Sequence, residues 1–173
     1  MKFIPVILLS LCFIAMNCDN ASKVVAFLKK HVGDGYCWGG AGERMSEKVL
    51  QQFLKRFDKD HVKPDKQRAK NMGKLVYDCS GLVMKAFNEV GINIVHHADS
   101  AWKGTRWAQK GDIGGYPKNK VCILYRKSGN TMVHTGVYIG GGQCIHAKGT
   151  DYGVVKEGMP GTWTHYGIPK GLY

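Results

Sequence analysis

The chain has 173 residues, of which 44% are hydrophobic and 22% charged. This length and composition suffice for the core of one ordinary domain and leave little room for two. Its formal net charge at pH 7 is +12, and such a surplus attracts anionic partners, cell-wall polymers and membrane surfaces among them, without specific contacts. A basic surface that only aids solubility is the alternative interpretation. Aromatic residues do not alternate with the basic runs, so the composition argues against a nucleic-acid-binding protein.

The N-terminus differs in character from the rest of the chain. Lys2 precedes a mostly apolar run over residues 3–16, which has the length of a signal-peptide core and is short for a membrane span. We predict a signal peptide over residues 1–18, a single domain over 19–173, and a secreted, periplasmic or cell-wall location. An uncleaved membrane anchor is the alternative.

Six cysteines do not form an evident disulfide framework, because Cys12 and Cys18 lie in or beside the predicted signal peptide. Four others lie in the predicted mature chain: Cys37, Cys79, Cys122 and Cys144. A disulfide between two of these stays open in an oxidising compartment, and the sequence does not choose the pair. Neither a Cys-x-x-Cys nor a His-Glu-x-x-His spacing occurs, so we expect no metal and no other cofactor.

Helix signals dominate the first half of the mature chain. Apolar spacing predicts a helix over residues 22–32, ended by Gly33, and a second over residues 47–57, capped by Ser46. Residues 58–73 are polar and lack a sustained period, which predicts an exposed connection.

A third helix is predicted to begin at Cys79, with Asp78 as its cap and Gly91 at its end. Its apolar residues form one stripe, which buries the helix and fixes its first residue: Leu82, Val83, Ala86, Phe87 and Val90. The amides at a helix start carry partial positive charge, so they favour thiolate over thiol and lower a cysteine pKa from about 8.5. The sequence therefore predicts a reactive thiol at Cys79.

Strand signals follow, over residues 121–126, 134–139, 143–147 and 153–155. If residues 140–142, all glycine, form the turn between the second and third strands, His146 lies opposite Gly136 with His134 as its diagonal neighbour. Because Gly136 has no side chain, one imidazole has room to reach the other. Helices followed by a meandering antiparallel sheet predict an α+β domain.

A cysteine at a helix start, a histidine on a strand and a second polar residue that orients this histidine meet the requirements of nucleophilic catalysis. In this hypothesis Cys79 attacks a carbonyl carbon. His134 keeps the thiol deprotonated and later protonates the leaving amine, and His146 holds the ring of His134. The helix-start amides stabilise the oxyanion.

Four motifs together resemble the NlpC-type (NlpC/P60) cell-wall peptidases, which are papain-like cysteine enzymes. The motifs are Tyr-Cys-Trp-Gly-Gly at 36–40, Asp-Cys-Ser-Gly-Leu-Val at 78–83, His-Thr-Gly-Val-Tyr-Ile-Gly at 134–140 and Ile-His-Ala at 145–147. The resemblance implies an α+β, papain-like domain in which helices, one bearing the nucleophile at its N-terminus, pack on a small antiparallel sheet. It also implies a peptidoglycan hydrolase without a metal, with a Cys-His-His triad made by Cys79, His134 and His146. We expect this protein to be a monomer.

The same resemblance implies that Tyr36, Asp78 and Ser80 bind substrate, although a helix cap explains Asp78 equally well and simple packing is the alternative for Tyr36. Ser100 and Trp102 resemble a cleft-lining segment more weakly, and a surface helix turn accounts for them better. Residues 41–77 form a helical insertion relative to many members, and this insertion is expected to form one side or a lid of the cleft and to influence substrate choice.

The expected reaction is hydrolysis of stem-peptide amides, most often the bond from D-γ-glutamate to a diamino acid. Two alternatives stay open. One is an amidase that cuts between N-acetylmuramic acid and L-alanine, and the other is a cell-wall-binding or toxin-like module without turnover.

Overall fold

The computed structural model describes residues 20–173, so the predicted signal peptide, with Cys12 and Cys18, lies outside the described residues. Helix α1 covers residues 20–30. The other helices are α2 (Glu47–Arg56), α3 (Lys59–Val62), α4 (Pro64–Lys70), α5 (Cys79–Asn88) and α6 (Ala98–Gly104), and a 3-10 turn covers Ile113–Gly115. Within residues 20–173, no helix is both long and apolar enough to cross a membrane.

The strands form two sheets. The smaller sheet has the order β1-β3-β2 and contains β1 (Gly35–Tyr36), β2 (Ala41–Arg44) and β3 (Leu75–Tyr77). The larger sheet has the order β4-β9-β5-β6-β7-β8, and all its pairs are antiparallel. Its strands are β4 (Trp107–Asp112), β5 (Cys122–Ser128), β6 (Thr131–Tyr138), β7 (Gln143–Gly149), β8 (Gly153–Gly158) and β9 (His165–Pro169). The predicted α+β fold is confirmed.

The main core lies between α5 and the larger sheet. Leu82, Ala86 and Phe87 of α5 are buried, and within the larger sheet α5 packs mainly on β6 and β7; Ile123 and Ile145 are among the fully buried side chains of the same core. Each of the leucine, isoleucine and phenylalanine side chains among them contributes about 1.5–3 kcal/mol by leaving water. This burial holds α5, and therefore the residue at its first position, against the sheet.

A second, smaller core lies under the predicted insertion. It consists of the buried residues Cys37, Met45, Leu50, Phe53, Val62 and Val76. The helix predicted over residues 47–57 is observed as α2, and its cap Ser46 accepts a hydrogen bond from the Val49 amide at 3.2 Å.

The prediction of an exposed connection over residues 58–73 is wrong, because α3 and α4 lie there. Asp58 caps α3 by accepting from the His61 amide at 2.9 Å, and Pro64 opens α4. Val62 and Gln67 are buried. Helices of four and seven residues are too short to show a sustained apolar period, so only their capping residues mark them in the sequence.

Other differences concern the ends of elements and the sheet edges. In the described part of the chain the first helix is present from residue 20 and ends at residue 30 rather than 32. Strands β4 and β9 are not among the predicted strands, and they extend the larger sheet beyond β5. Strand β4 is an edge strand with mostly exposed residues, so it lacks the alternation that identifies a half-buried strand.

Candidate active site

The start of α5 is held by Asp78. This residue has an extended backbone, and its Oδ1 accepts from the Gly81 amide at 2.7 Å and from the Ser80 hydroxyl at 2.9 Å. Its Oδ2 accepts from the Gly39 amide at 2.9 Å. The predicted helix cap is therefore confirmed, and it fixes Cys79 as the first residue of the helix.

His96 is a member of this cluster that the sequence analysis does not identify. Its Nε2 lies 3.0 Å from each carboxylate oxygen of Asp78. The hydrogen bond with this carboxylate raises the pKa of His96. Nothing in the local sequence predicts the contact, because His96 lies in an irregular segment 18 residues after Asp78.

The hairpin of β6 and β7 has the predicted register. Val137 pairs with Ile145 and Tyr138 with Cys144, so Gly136 lies opposite His146. A Cβ atom added at Gly136 would lie 2.7 Å from the Cβ of His146. The glycine is required because no side chain fits between these two strands here.

A row of hydrogen bonds leads from His134 away from the cleft. His134 Nε2 lies 2.8 Å from His146 Nδ1, and His146 Nε2 lies 2.9 Å from Glu157 Oε1. The other oxygen of Glu157 accepts from Lys148 Nζ at 2.7 Å. Trp163 stacks on His134 with a centroid separation of 5.4 Å. The structure thus brings the two predicted histidines together and adds Glu157 and Trp163.

The environment of His134 favours its neutral form. Burial, the neighbouring His146 and then Arg126 lower the pKa of His134 to about 3. Burial likewise lowers the pKa of His146, while Glu157 opposes that shift. At neutral pH both rings are therefore uncharged.

The Cys79 thiol is also neutral, contrary to the predicted lowering of its pKa. Burial and Asp78 raise the pKa of Cys79 to about 12, while the amides of Thr135, Ser80 and Cys79 itself act in the opposite direction. Desolvation of a thiolate therefore outweighs the helix-start amides here. The Thr135 amide on β6 follows His134 directly, so the sulfur lies beside the strand that carries this histidine.

Cys79 and His134 line one cleft of about 520 Å³. Arg56 and Phe57, from the end of α2, form part of its lining, so the predicted insertion forms one side of the cleft. Tyr36 lines it as well. Burial, followed by Cys79 and Asp78, raises the pKa of Tyr36 far above its ordinary value, so the phenol keeps its proton.

The cleft is cationic. Arg56, Arg126 and Lys148 line it, and Asp78 is the only carboxylate among its lining residues in the described part of the chain. Both carboxylate oxygens of Asp78 already accept hydrogen bonds within the protein and lie beside His96. Neither Arg56 nor Arg126 forms an ion pair within residues 20–173.

Of the weaker sequence candidates, Ser100 and Trp102 lie on α6 and do not line the cleft. Ser100 is exposed, as a surface helix turn predicts, whereas Trp102 packs against Tyr125 and Trp107. The four cysteines of residues 20–173 are free thiols, and three of them are buried: Cys37, Cys122 and Cys144.

The fold, the helix-start thiol and the histidines on the adjacent sheet define a papain-like domain. The family model of the NlpC/P60 family matches residues 33–167. The chain belongs to the NlpC/P60 family.

Curated relatives carry related names. The chain is 27% identical over 146 residues to a probable endopeptidase p60 of Listeria grayi, a match that covers 84% of this chain and 21% of that protein. It is 32% identical over 84 residues to a probable endopeptidase of Mycobacterium tuberculosis, which covers 49% of this chain and 20% of the relative. The chain therefore spans about a fifth of the length of these relatives.

Solved structures share the fold at low identity. The peptidoglycan hydrolase RipB of Mycobacterium tuberculosis matches with a TM-score of 0.61 at 18% identity, covering 89% of this chain and 66% of that one. The P60 domain of an antigen of Mycobacterium avium subspecies paratuberculosis matches with a TM-score of 0.61 at 17% identity, covering 91% and 98%. These likenesses support the fold alone.

Proposed function

We propose that this protein is a peptidoglycan hydrolase that cleaves stem-peptide amides by attack of the Cys79 sulfur. The observation that carries the proposal is one cleft lined by both Cys79 and His134, with His134 bonded to His146 at 2.8 Å. Membership of the NlpC/P60 family and the endopeptidase names of its relatives support the same reaction class.

The Cys79 thiol and the His134 imidazole are both neutral at pH 7, so the reaction begins with a proton transfer between them. As the Cys79 sulfur bonds to the carbonyl carbon, its proton passes to Nδ1 of His134, which no hydrogen bond within residues 20–173 uses. His146 Nδ1 lies 2.8 Å from His134 Nε2, and this hydrogen bond holds the ring in place. Charge then develops on the carbonyl oxygen, and the amides at the start of α5 are the donors available for it.

Collapse of the tetrahedral species breaks the carbon–nitrogen bond. The imidazolium of His134 gives its proton to the leaving amine, and a thioester on Cys79 remains. Water, deprotonated by His134, then hydrolyses the thioester and restores the free thiol. No metal is needed for any of these steps.

We propose the bond from D-γ-glutamate to a diamino acid as the target. Stem peptides present free carboxylates near this bond, and Arg56 and Arg126 lie in the cleft without a carboxylate partner among the described residues. Tyr36, Asp78 and Ser80 line the same cleft as the thiol, where they can contact the substrate. We also propose that residues 1–18 direct export, so that the domain over 19–173 acts as a monomer at a cell wall whose anionic surface its net positive charge favours.

Mass analysis of fragments released from purified peptidoglycan tests the proposed bond. New amino groups on diaminopimelate or lysine support the endopeptidase. New amino groups on alanine would indicate the amidase instead. No released fragment, with retained binding to peptidoglycan, would indicate a binding module.

A further inference from the structure

Glu157 lies outside the cleft lining, and in the row of hydrogen bonds that begins at His134 it stands between His146 and Lys148. It is on β8, opposite Cys144 of β7, so it shares a sheet face with His146 two residues further along. The His146 side chain is 5% exposed and that of Glu157 28%, so their bond lies at the border of the core. The inference drawn from this residue rests on the proposed function.

The charge state of Glu157 determines the direction of every hydrogen bond in the row. The hydrogen bond with Lys148 lowers the pKa of Glu157, so at neutral pH its carboxylate can only accept. His146 must then carry its proton on Nε2. Because this ring is neutral, its Nδ1 is an acceptor, and His134 must donate from Nε2.

A neutral His134 with its proton on Nε2 has an unprotonated Nδ1. That is the nitrogen that must take the thiol proton. In the opposite arrangement His146 donates from Nδ1, the proton of His134 sits on its own Nδ1, and the ring cannot act as a base toward Cys79.

We propose that Glu157 is a positioning residue, which selects the tautomers of His146 and His134 and thereby presents an unprotonated Nδ1 to Cys79. It touches neither the cleft nor the sulfur, so its effect passes through the two imidazoles. When His134 becomes protonated during the reaction, the carboxylate also stabilises the positive charge through His146.

Substitution of Glu157 should separate turnover from substrate binding. Glu157→Leu removes the acceptor, and we expect kcat to fall about 100-fold, while Glu157→Gln, whose amide can accept or donate, should lower it about 10-fold. KM should change much less than kcat in both, because Glu157 itself does not line the cleft and reaches it only through its partner Lys148. Glu89→Gln is the matched control: this exposed residue caps the far end of α5, so wild-type kcat is expected.

Nitrogen-15 NMR of the histidine rings gives a second, independent readout. In the wild-type protein at pH 7 we expect His134 and His146 each to carry one proton, on Nε2. In Glu157→Leu we expect protonation of Nδ1 in a measurable fraction of His134.

Two results would overturn the inference: a wild-type His134 protonated on Nδ1, or a folded Glu157→Leu protein with kcat within twofold of wild type. The NMR result on the wild-type protein does not depend on the variant folding. Failure of the proposed function is distinguishable, because a wild-type protein that cuts no peptidoglycan but has the expected tautomers would refute the reaction and leave the positioning role in place.

Discussion

Substitution of Gly136 by alanine tests whether the paired histidines depend on the absent side chain between β6 and β7. The new Cβ would lie 2.7 Å from His146 Cβ, 3.1 Å from a ring carbon of Trp163 and 3.2 Å from the Ile145 carbonyl oxygen. A Cβ and a carbonyl oxygen move only with their backbone, so the strands must separate or the His146 ring must leave its position.

The size of the effect follows from two opposing contributions. Overpacking a tight site costs about 1–3 kcal/mol. Replacing glycine by alanine in a strand returns about 0.5–1 kcal/mol of backbone entropy. The midpoints of these two ranges differ by about 1 kcal/mol, so we expect a net loss of about 1 kcal/mol in the free energy of unfolding. We also expect a fall in kcat of about 100-fold if the histidine pair is displaced by about 1 Å.

Urea denaturation at unchanged m, together with turnover of a stem peptide, measures both effects. Gly111→Ala is the matched control, because this residue lies on β4 of the same sheet and its added Cβ would be 3.6 Å from the nearest atom, an ordinary contact. The control should gain the backbone-entropy contribution of about 0.5–1 kcal/mol and keep wild-type kcat. A Gly136→Ala protein with wild-type stability and kcat would refute the register argument.

Three further predictions concern charge in the cleft. Arg56→Gln should raise KM for a stem peptide about 10-fold with kcat unchanged, because a charge-assisted hydrogen bond to a substrate carboxylate contributes about 1.5–3 kcal/mol. Lys55→Gln is the control, since Lys55 is the exposed neighbour of Arg56 and lies outside the cleft. Equal KM values for the two variants would contradict the role of Arg56 in binding the substrate carboxylate. The pKa of His134, lowered to about 3, lies below its unfolded value near 6.5, so the unfolded chain binds the extra proton and stability falls as pH drops below about 6.5. Urea titrations of the wild-type protein at pH 6.5 and 5.0 should show a fall of about 1–2 kcal/mol in the free energy of unfolding, and His134→Gln should show a smaller fall. His96, whose pKa is raised, acts in the opposite direction in both proteins. An identical pH dependence of stability in the wild type and His134→Gln would contradict the lowered pKa of His134. Alkylation of Cys79 by iodoacetamide, measured against Cys79→Ser, should be slow at pH 7 and rise through pH 9 as the thiol ionises, whereas fast, pH-independent alkylation from pH 5 to 8 would indicate a thiolate already formed.

The parts of the site that local chemistry determines could be predicted from the sequence. Asp78 caps α5 because a carboxylate before a helix is bound by the amides that follow it. The turn at residues 140–142 sets a register that places His146 opposite Gly136, whatever the rest of the sheet does.

The parts that depend on distant pairing could not be predicted. Glu157 reaches His146 only because β8 pairs with β7, and His96 reaches Asp78 from an irregular segment. The direction of the Cys79 pKa shift also needed the structure, since burial by the packed sheet outweighs the helix-start amides that the sequence reveals.

The activity of Cys79→Ala on purified peptidoglycan tests the central claim most directly. Cys122→Ala is the control, because Cys122 is a buried thiol on β5 that does not line the cleft. We predict that Cys79→Ala releases no fragments while it still binds peptidoglycan in a pull-down assay, and that Cys122→Ala releases the wild-type fragments. Release of wild-type fragments by Cys79→Ala at the wild-type rate would contradict the account.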